Sequence, residues 1–328
     1  MRYIKLTRVM FIAKKNNTSS ISIVIPVKDG ENKIKKCLQA VFNQTLPPLE
    51  VIVVDGHSSD RTTEIASKFP VRVIFENYGT VGGARQVGLE NAVGEYVAFT
   101  DADCIPERCW LSNLVKEFKA GIVCVGGGIK NIGDGLWAKS IALALDSFLG
   151  SANSVQDRVF EERRFVKSMS GCNSIYRRND LIKIGGFNTS LLTNEDTDIC
   201  RRIRKLGMLL YVPKALVLHD QNRNLKGFIK RMYMFGYGRG KIRIFDLQVI
   251  PPVIGLAVLL LLIVSFEAFL FMLSIYAIIL IFFDIMLFLK NRKAILLISI
   301  PIVYIIEHVT YSLGFWKGII SSMKKDSQ

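Results

Sequence analysis

Three acidic positions in this chain follow runs of β-branched and apolar residues, and their spacing points to chemistry on a phosphate ester. Asp29 stands just beyond the run Ile21 to Val27, Asp55 closes Val51-Ile52-Val53-Val54, and Asp101-Ala102-Asp103 closes Tyr96-Val97-Ala98-Phe99-Thr100. If these runs are strands of an open α/β sheet, ligands bind outside their carboxyl ends, and the three positions share one edge. Carboxylates gathered there repel one another, which a structural sheet does not need. A divalent ion with a phosphate ester reverses that balance: Asp101 and Asp103 can offer oxygens to Mg2+ or Mn2+, which then neutralises a diphosphate. An acidic turn is the plain alternative for Asp-x-Asp taken alone. Gly79-Thr80-Val81-Gly82-Gly83-Ala84-Arg85 opens the helix before the Asp-x-Asp strand. Its glycines would permit close approach of a phosphate, and the helix N-terminus and Arg85 favour an anion. A flexible turn carrying a surface arginine fits the same residues.

The elements that must position these groups are legible from periodicity. Strands are expected at 21–27, 51–54, 71–75, 96–99 and 122–125. Helices are expected at 31–42, 62–69, 82–92 and 107–119, the first with Ile34, Cys37, Leu38, Val41 and Phe42 on one face. Alternating β and α at this spacing predicts a mostly parallel sheet covered on both faces.

The 328 residues carry 43 Lys plus Arg against 28 Asp plus Glu, a net charge of +15, and mean hydropathy is +0.30. Half the chain is hydrophobic, and the long apolar runs all lie after residue 248. This excludes intrinsic disorder, a small disulfide scaffold and an ordinary soluble nucleic-acid binder, and it assigns the positive charge to anionic membrane lipids. The six cysteines form no Cys-x-x-Cys pair and the three histidines are scattered. That argues against a zinc cluster and suits a reducing compartment. Residues 1–20 read as a basic tail, disordered or hugging the interface, because Val9 to Ala13 is too short for a signal-peptide core.

From Lys226 to Arg243 there are six basic residues and no acid, with Phe228, Met232, Tyr233, Phe235 and Tyr237 interleaved. Residues 223–248 are therefore expected at a membrane interface. Segments 249–266, 268–289 and 294–316 are each near the ~20 residues that span a bilayer. Glu267 separates the first two as a tight hairpin, and a polar tail follows at 317–328. The positive-inside rule places 226–243 and Lys290 to Lys293 in the cytoplasm with the first domain. The third segment either spans, leaving Lys317, Lys324 and Lys325 outside, or is re-entrant or lies along the interface. Asp284, Glu307 and His308 are expected to face protein, water or headgroups rather than lipid, reaching the interface near segment ends, with a grip on a lipid-phosphate acceptor as the functional alternative.

Beyond these patterns, the motifs resemble a family. Ile23-Val24-Ile25-Pro26-Val27, Val53-Val54-Asp55-Gly56 with Ser58-Ser59-Asp60, Gly83-Ala84-Arg85 and Phe99-Thr100-Asp101-Ala102-Asp103 are similar to successive motifs of family 2 glycosyltransferases. Ser170-Gly171-Cys172-Asn173, Gly185-Gly186-Phe187 and Asn194-Glu195-Asp196-Thr197-Asp198 resemble its acceptor-side half, and the order holds over about residues 21–220. The resemblance implies a GT-A domain over 21–222, an α/β fold binding a nucleotide-sugar, with a helical membrane region after it. It implies inverting transfer of the sugar from a UDP- or GDP-sugar to a lipid-linked or polysaccharide acceptor.

Carried onto this chain, the resemblance implies that Pro26, Val27, Asp29, Asp55, Arg85 and Asp101 bind the donor. Asp101, Asp103 and His219 would hold the metal. Gly171, Asn173 and Glu195 would line the sugar and acceptor pocket, and Asp196 would be the general base. Gly56 stands where the family often has a second acid, and Lys28-Asp29-Gly30 replaces a common acidic pair. The Gln-x-x-Arg-Trp motif of processive synthases is absent after Asp196, which suggests single addition. A plain reading of Asn194-Glu195-Asp196 is a helix start with acids in its first turn, and Asp198 with Arg201 and Arg202 reads as a structural surface pair. The rivals are a polyprenyl-phosphate glycosyl synthase and a non-catalytic membrane scaffold that only binds nucleotide-sugar.

Overall fold

The computed structural model describes residues 20–152, 154–155, 158–220 and 224–326; the expected tail at 1–20 lies outside them except for Ser20. The first half alternates β1 (Ile21–Val27), α1 (Ile34–Phe42), β2 (Glu50–Asp55), α2 (Thr62–Ala66), β3 (Arg72–Phe75), α3 (Val81–Asn91) and β4 (Tyr96–Phe99). There follow β5 (Cys104–Pro106), α4 (Trp110–Val115), β6 (Ile122–Ile132), α5 (Leu136–Leu145) and α6 (Phe148–Ser151). Next come β7 (Arg164–Val166), β8 (Ser174–Arg177), α7 (Arg178–Lys183), α8 (Glu195–Ile203) and β9 (Met208–Asp220). Four helices complete the chain: α9 (Leu225–Lys241), α10 (Ile250–Val264), α11 (Phe266–Asn291) and α12 (Leu296–Asp326).

The strands form one sheet in the order β3-β2-β1-β4-β8-β6-β9-β5, with β7 also paired to β9. Along β1, Ile21, Ile23, Ile25 and Val27 face α1, α2 and α4, whereas Val24 faces α3 and α8. That is the two-residue alternation of a strand buried on both sides. The expectation of a mostly parallel sheet holds for β1 to β4 and for the long ladder of β6 with β9. Their ladders are parallel, but β8 runs antiparallel between β4 and β6, and β5 and β7 run antiparallel to β9. The sheet is mixed because β5, β7 and β8 arrive from loops rather than from crossover helices.

The apolar region contains three helices long and apolar enough to cross a membrane. The break between α10 and α11 falls at Ser265, whose hydroxyl accepts the Ala268 N–H at 3.2 Å; Glu267, the expected separator, sits in the first turn of α11. α12 runs on past 316 to Asp326, so the expected polar tail continues the helix through its described residues. The reason is packing. Gly236 and Gly240 of α9 face Gly314 and Gly318 of α12, and a Cβ at any of them would strike the other helix's backbone. Two Gly-x-x-x-Gly stripes thus let parallel helices meet backbone to backbone. Farther back, α12 is bound to α5 and α6 by Ser299 with Ser140 (2.7 Å), Tyr304 with Ser147 (2.8 Å) and His308 with the Leu149 carbonyl (3.3 Å).

Candidate active site

Two clefts open beside the carboxyl ends of β1 to β4. The first, about 430 Å3, is lined by Pro26, Val27, Asp29, Gly79, Asp101 and Asp103, with Glu76 on its wall. Its shape comes from a latch between the loops after β1 and β2. Asp29 accepts the Ser59 N–H (2.7 Å) and its own N–H donates to the Ser58 hydroxyl (2.8 Å), while the Gly30 N–H donates to Thr62. Asp29 holds this reversal at φ 51°, a left-handed conformation that aspartate tolerates. Asp55 does not reach the cleft. It is 0% exposed, and its oxygens accept the Ser58 N–H (2.8 Å) and hydroxyl (2.6 Å). Asp55 thus builds the turn that carries Ser58, a structural task beside the nucleoside contact expected of it. Glu76 was not picked out from sequence. It accepts the N–H groups of Tyr78 and Gly79, and a side chain at Gly56 would lie 3.3 Å from its Oε1. An acid from the next strand thus stands beside the position where the second acid is missing.

The metal candidates divide. Asp103 and His219 come together, with Oδ1 and Nε2 3.5 Å apart and Cys104 beside them. They meet because β5 pairs with β9 and sets Cys104 opposite His219. The Cys104 thiol is pushed well above its ordinary pKa by burial, then by Cys172 and the two aspartates, and stays protonated. A carboxylate and an imidazole are a fitting donor pair for a divalent ion, and the imidazole suits Mn2+ better than Mg2+, which prefers oxygen. Asp101 is turned away to Arg85, its Oδ1 2.8 Å from Nη2.

Arg85 lies under the second cleft. It is 2% exposed, with one Nη on Asp101 and the other on Glu195. Of the expected donor ligands, Arg85 has both forks engaged and bridges the donor-side and acceptor-side acids. Gly171 is required above it, since a Cβ there would fall 2.6 Å from Nη2. Burial opposes the Arg85 charge, but Asp101, Glu195 and Asp196 outweigh it and hold the guanidinium protonated. Burial pushes the Glu195 carboxyl up to about 7, against the pull of Arg85. Asp196 is also raised, chiefly by burial, with Arg85 and the N–H groups of Gly171 (3.2 Å) and Thr197 (2.6 Å) pulling back. A largely buried carboxylate of raised pKa at a cleft wall has the properties of a general base.

Asn194 precedes α8 at φ 62° and makes no side-chain cap bond. Its Nδ2 instead donates to the Phe235 carbonyl (3.0 Å), as Thr193 does to that of Met234 (2.9 Å), and Gly238 leaves room for both. The loop carrying Asp196 is thereby fastened to α9, and through α9 to α12. Asp198 pairs with Arg202 (2.8 Å) and Arg201 (3.5 Å) as expected, but its carboxylate is buried rather than on the surface. Asn173, expected at the sugar and acceptor pocket, has its amide engaged within the fold. It is fully buried, donates to the Gly128 and Ala215 carbonyls (both 2.8 Å) and accepts from Trp110 (2.8 Å), so it staples β8 to its neighbours.

The second cleft, about 470 Å3, joins Asp101, Asp103, His219, Arg85, Gly171, Glu195 and Asp196. It continues over Lys230, Arg231 and Arg239 of α9 to Glu307, His308 and Tyr311 of α12. Glu307 is 6% exposed, so the expectation that these polar residues reach for the interface near segment ends is corrected for Glu307 and His308: they turn inward to this cleft.

Comparison with known proteins agrees with this arrangement. The chain is 28% identical over 256 residues to glycosyltransferase AglE of Haloferax volcanii, covering 74% of this chain and 80% of the relative. It is 27% identical over 322 residues, 92% of this chain and 97% of the relative, to a Methanococcus voltae enzyme, dolichyl N-acetyl-alpha-D-glucosaminyl phosphate 3-beta-D-2,3-diacetamido-2,3-dideoxy-beta-D-glucuronosyltransferase. Among solved structures, mannosyltransferase PcManGT of Pyrobaculum calidifontis, in complex with GDP-Man and Mn2+, shares the fold at TM-score 0.57 and 18% identity, over 89% of this chain and 87% of that one. The model of glycosyl transferase family 2 matches residues 22–185. With that match joined to a GT-A-like mixed sheet and three long apolar helices, the chain belongs to glycosyl transferase family 2 and is a glycosyltransferase.

Proposed function

We propose that this enzyme transfers one sugar, with inversion, from a UDP- or GDP-sugar to a lipid-linked sugar at the cytoplasmic face of a membrane. The observation carrying this reading is the single cleft that runs from Asp103 and His219, past Asp196, to residues of an apolar helix. A soluble acceptor would not need a wall built by such a helix. The relative from Methanococcus voltae, by its name, acts on a dolichyl-phosphate-linked sugar, which supports the acceptor class.

In this reading the donor lies across the first cleft with its anomeric carbon toward Asp196. The acceptor oxygen attacks from the α8 side. The new carbon–oxygen bond forms as the bond to the diphosphate oxygen breaks on the opposite face, and Asp196 takes the hydroxyl proton. A divalent ion bound by Asp103 and His219 would neutralise the departing diphosphate. Arg85 fixes Asp101 and Glu195 on either side of the reacting centre, and the Gly171 N–H orients the Asp196 carboxylate.

For the membrane, we propose that α10 and α11 span as a hairpin while α12 lies along the cytoplasmic interface. Its contacts with α5, α6 and α9 run from Ser299 to Gly318, about 29 Å of helix held against elements of the catalytic half. Lys317 and Lys324 then stay on the cytoplasmic side, as the positive-inside rule favours. Lys230 and Arg231 on the cleft wall favour a second reading, a bare polyprenyl phosphate as acceptor.

The test is release of nucleoside diphosphate from UDP- and GDP-sugars by the full chain in nanodiscs, with Mn2+ or Mg2+ and lipid-linked acceptors. Metal-dependent release lost in Asp103→Ala and Asp196→Asn is the expected result. Nucleotide binding without turnover on any donor and acceptor would refute the catalytic reading.

A further inference from the structure

Glu307 and Tyr311 stand in an odd place. They belong to a helix of mean hydropathy 1.6, where ionisable and polar groups are costly unless they have work to do. They lie one turn apart on the face of α12 that also buries Val303, Tyr304 and Phe315, so they face inward. Both line the cleft that contains Asp196.

Their neighbours separate framework from ligand groups. His308 is framework, its Nδ1 meeting the Tyr276 hydroxyl (2.9 Å) and its Nε2 the Leu149 carbonyl (3.3 Å). The Tyr311 hydroxyl is different. It is buried and has no hydrogen-bond partner among the described residues. Buried polar groups are nearly always paired, so a phenol left this way on a cleft wall calls for a partner that enters the cleft. Glu307 adds a carboxyl held in place against Gly150, whose missing side chain leaves room for Oε2.

We propose that Glu307 and Tyr311 form the subsite for the sugar of a lipid-linked acceptor, binding its hydroxyl groups so that one of them faces Asp196. This rests on the transferase reading above and decides between its two acceptors. A carboxylate accepts hydrogen bonds from sugar hydroxyls, and the phenol gives or accepts another. A phosphate placed against Glu307 would meet a like charge when the carboxyl is ionised, and a single O–H donor when it is neutral. As a carboxylate, the group prefers a hydroxyl to a phosphate. The lipid phosphate has other partners in the same cleft, Lys230 and Arg231 on α9.

The experiment uses the full chain in nanodiscs, labelled UDP- and GDP-sugars, and two acceptor types. One is a bare polyprenyl phosphate; the other carries a single hexose or N-acetylhexosamine on that phosphate. The wild type is expected to glycosylate only the sugar-bearing lipid. Tyr311→Phe and Glu307→Gln are each expected to raise KM for that lipid at least ten-fold, with kcat within about three-fold. Nucleotide affinity, measured with UDP and GDP in Mn2+, is the folding control, and Tyr311→Phe removes only an unpartnered hydroxyl. A merely structural role would lower Tm and kcat without selectively raising acceptor KM. Unchanged acceptor KM in both variants overturns the subsite while leaving the transferase reading intact. Preference of the wild type for the bare phosphate overturns it as well. Transfer to neither acceptor brings down the transferase reading, and this inference with it.

Discussion

A methyl group at Gly171 is the sharpest probe of the bridge between donor and acceptor sides. Its carbon would lie 2.6 Å from Arg85 Nη2, and closer still to Nη1 and Cζ, whereas unstrained contacts of this kind sit at roughly 3.5 Å. The guanidinium must therefore retreat by about 1 Å. Arginine ends are often free to do so, but this one is buried, with one Nη 2.8 Å from Asp101 and the other on Glu195. A shift of that size takes at least one charge-assisted hydrogen bond out of range, a loss of about 1.5–3 kcal/mol. It also disturbs the Gly171 N–H that orients Asp196. Misplacement of a catalytic group by about 1 Å costs on the order of 100-fold in rate. We therefore expect Gly171→Ala to lower kcat/KM for nucleoside diphosphate release by about 100-fold, equivalent to ~2.7 kcal/mol. The assay is a double-mutant cycle with Arg85→Lys, which removes the planar fork that the methyl group strikes. In that background the same substitution should cost less than about three-fold, because the two changes act on one contact. Gly171→Ala within about three-fold of wild type, or an equal loss in both backgrounds, would refute the bridge.

Asp196→Asn should reduce transfer by roughly 100-fold or more while nucleotide binding persists; loss of nucleotide binding in equal measure would argue against a base. The base acts as a carboxylate, and burial favours its neutral form. The rate should therefore fall, as pH is lowered, at a pH above the ordinary aspartate range, and a kcat/KM profile flat down to about pH 4 would contradict this. His219→Ala should weaken Mn2+ activation more than Mg2+ activation, read as the metal concentration for half-maximal rate; equal weakening of both would contradict the assigned ligand. Asp55→Asn should chiefly lower Tm, since both Asp55 oxygens serve Ser58, whereas Glu76→Gln should chiefly weaken UDP or GDP binding. Calorimetry on the two variants separates these effects, and the reverse pattern would put the nucleoside contact on Asp55 rather than Glu76.

Much of the first half could be read from residue pattern because its information is local. The alternation in Ile21 to Val27 sorts side chains to two faces whatever lies beyond, and the strand boundaries at 21–27 and 96–99 agree with the structure. Charge at i, i+3 and i+4 likewise announces the pairing of Asp198 with Arg201 and Arg202. The apolar composition after residue 248 determines that long apolar helices follow, since few other structures can use such a run.

What sequence could not decide is where an acid points. Asp55 and Asp101 both end strands at the same edge, yet one is sealed on Ser58 and the other reaches Arg85. That the Asn173 amide has three distant partners, Trp110, Gly128 and Ala215, could not be read from its neighbours in the chain. The Gly-x-x-x-Gly stripes at Gly236 and Gly314 stand openly in the chain, but one stripe means nothing until its partner is known to face it. Composition and periodicity determined the elements, because each is set by interactions within a few turns or one strand. The placement of Glu307, Tyr311 and Asp196 on one cleft was decided only by the tertiary structure, because it depends on packing between helices and loops far apart in the chain.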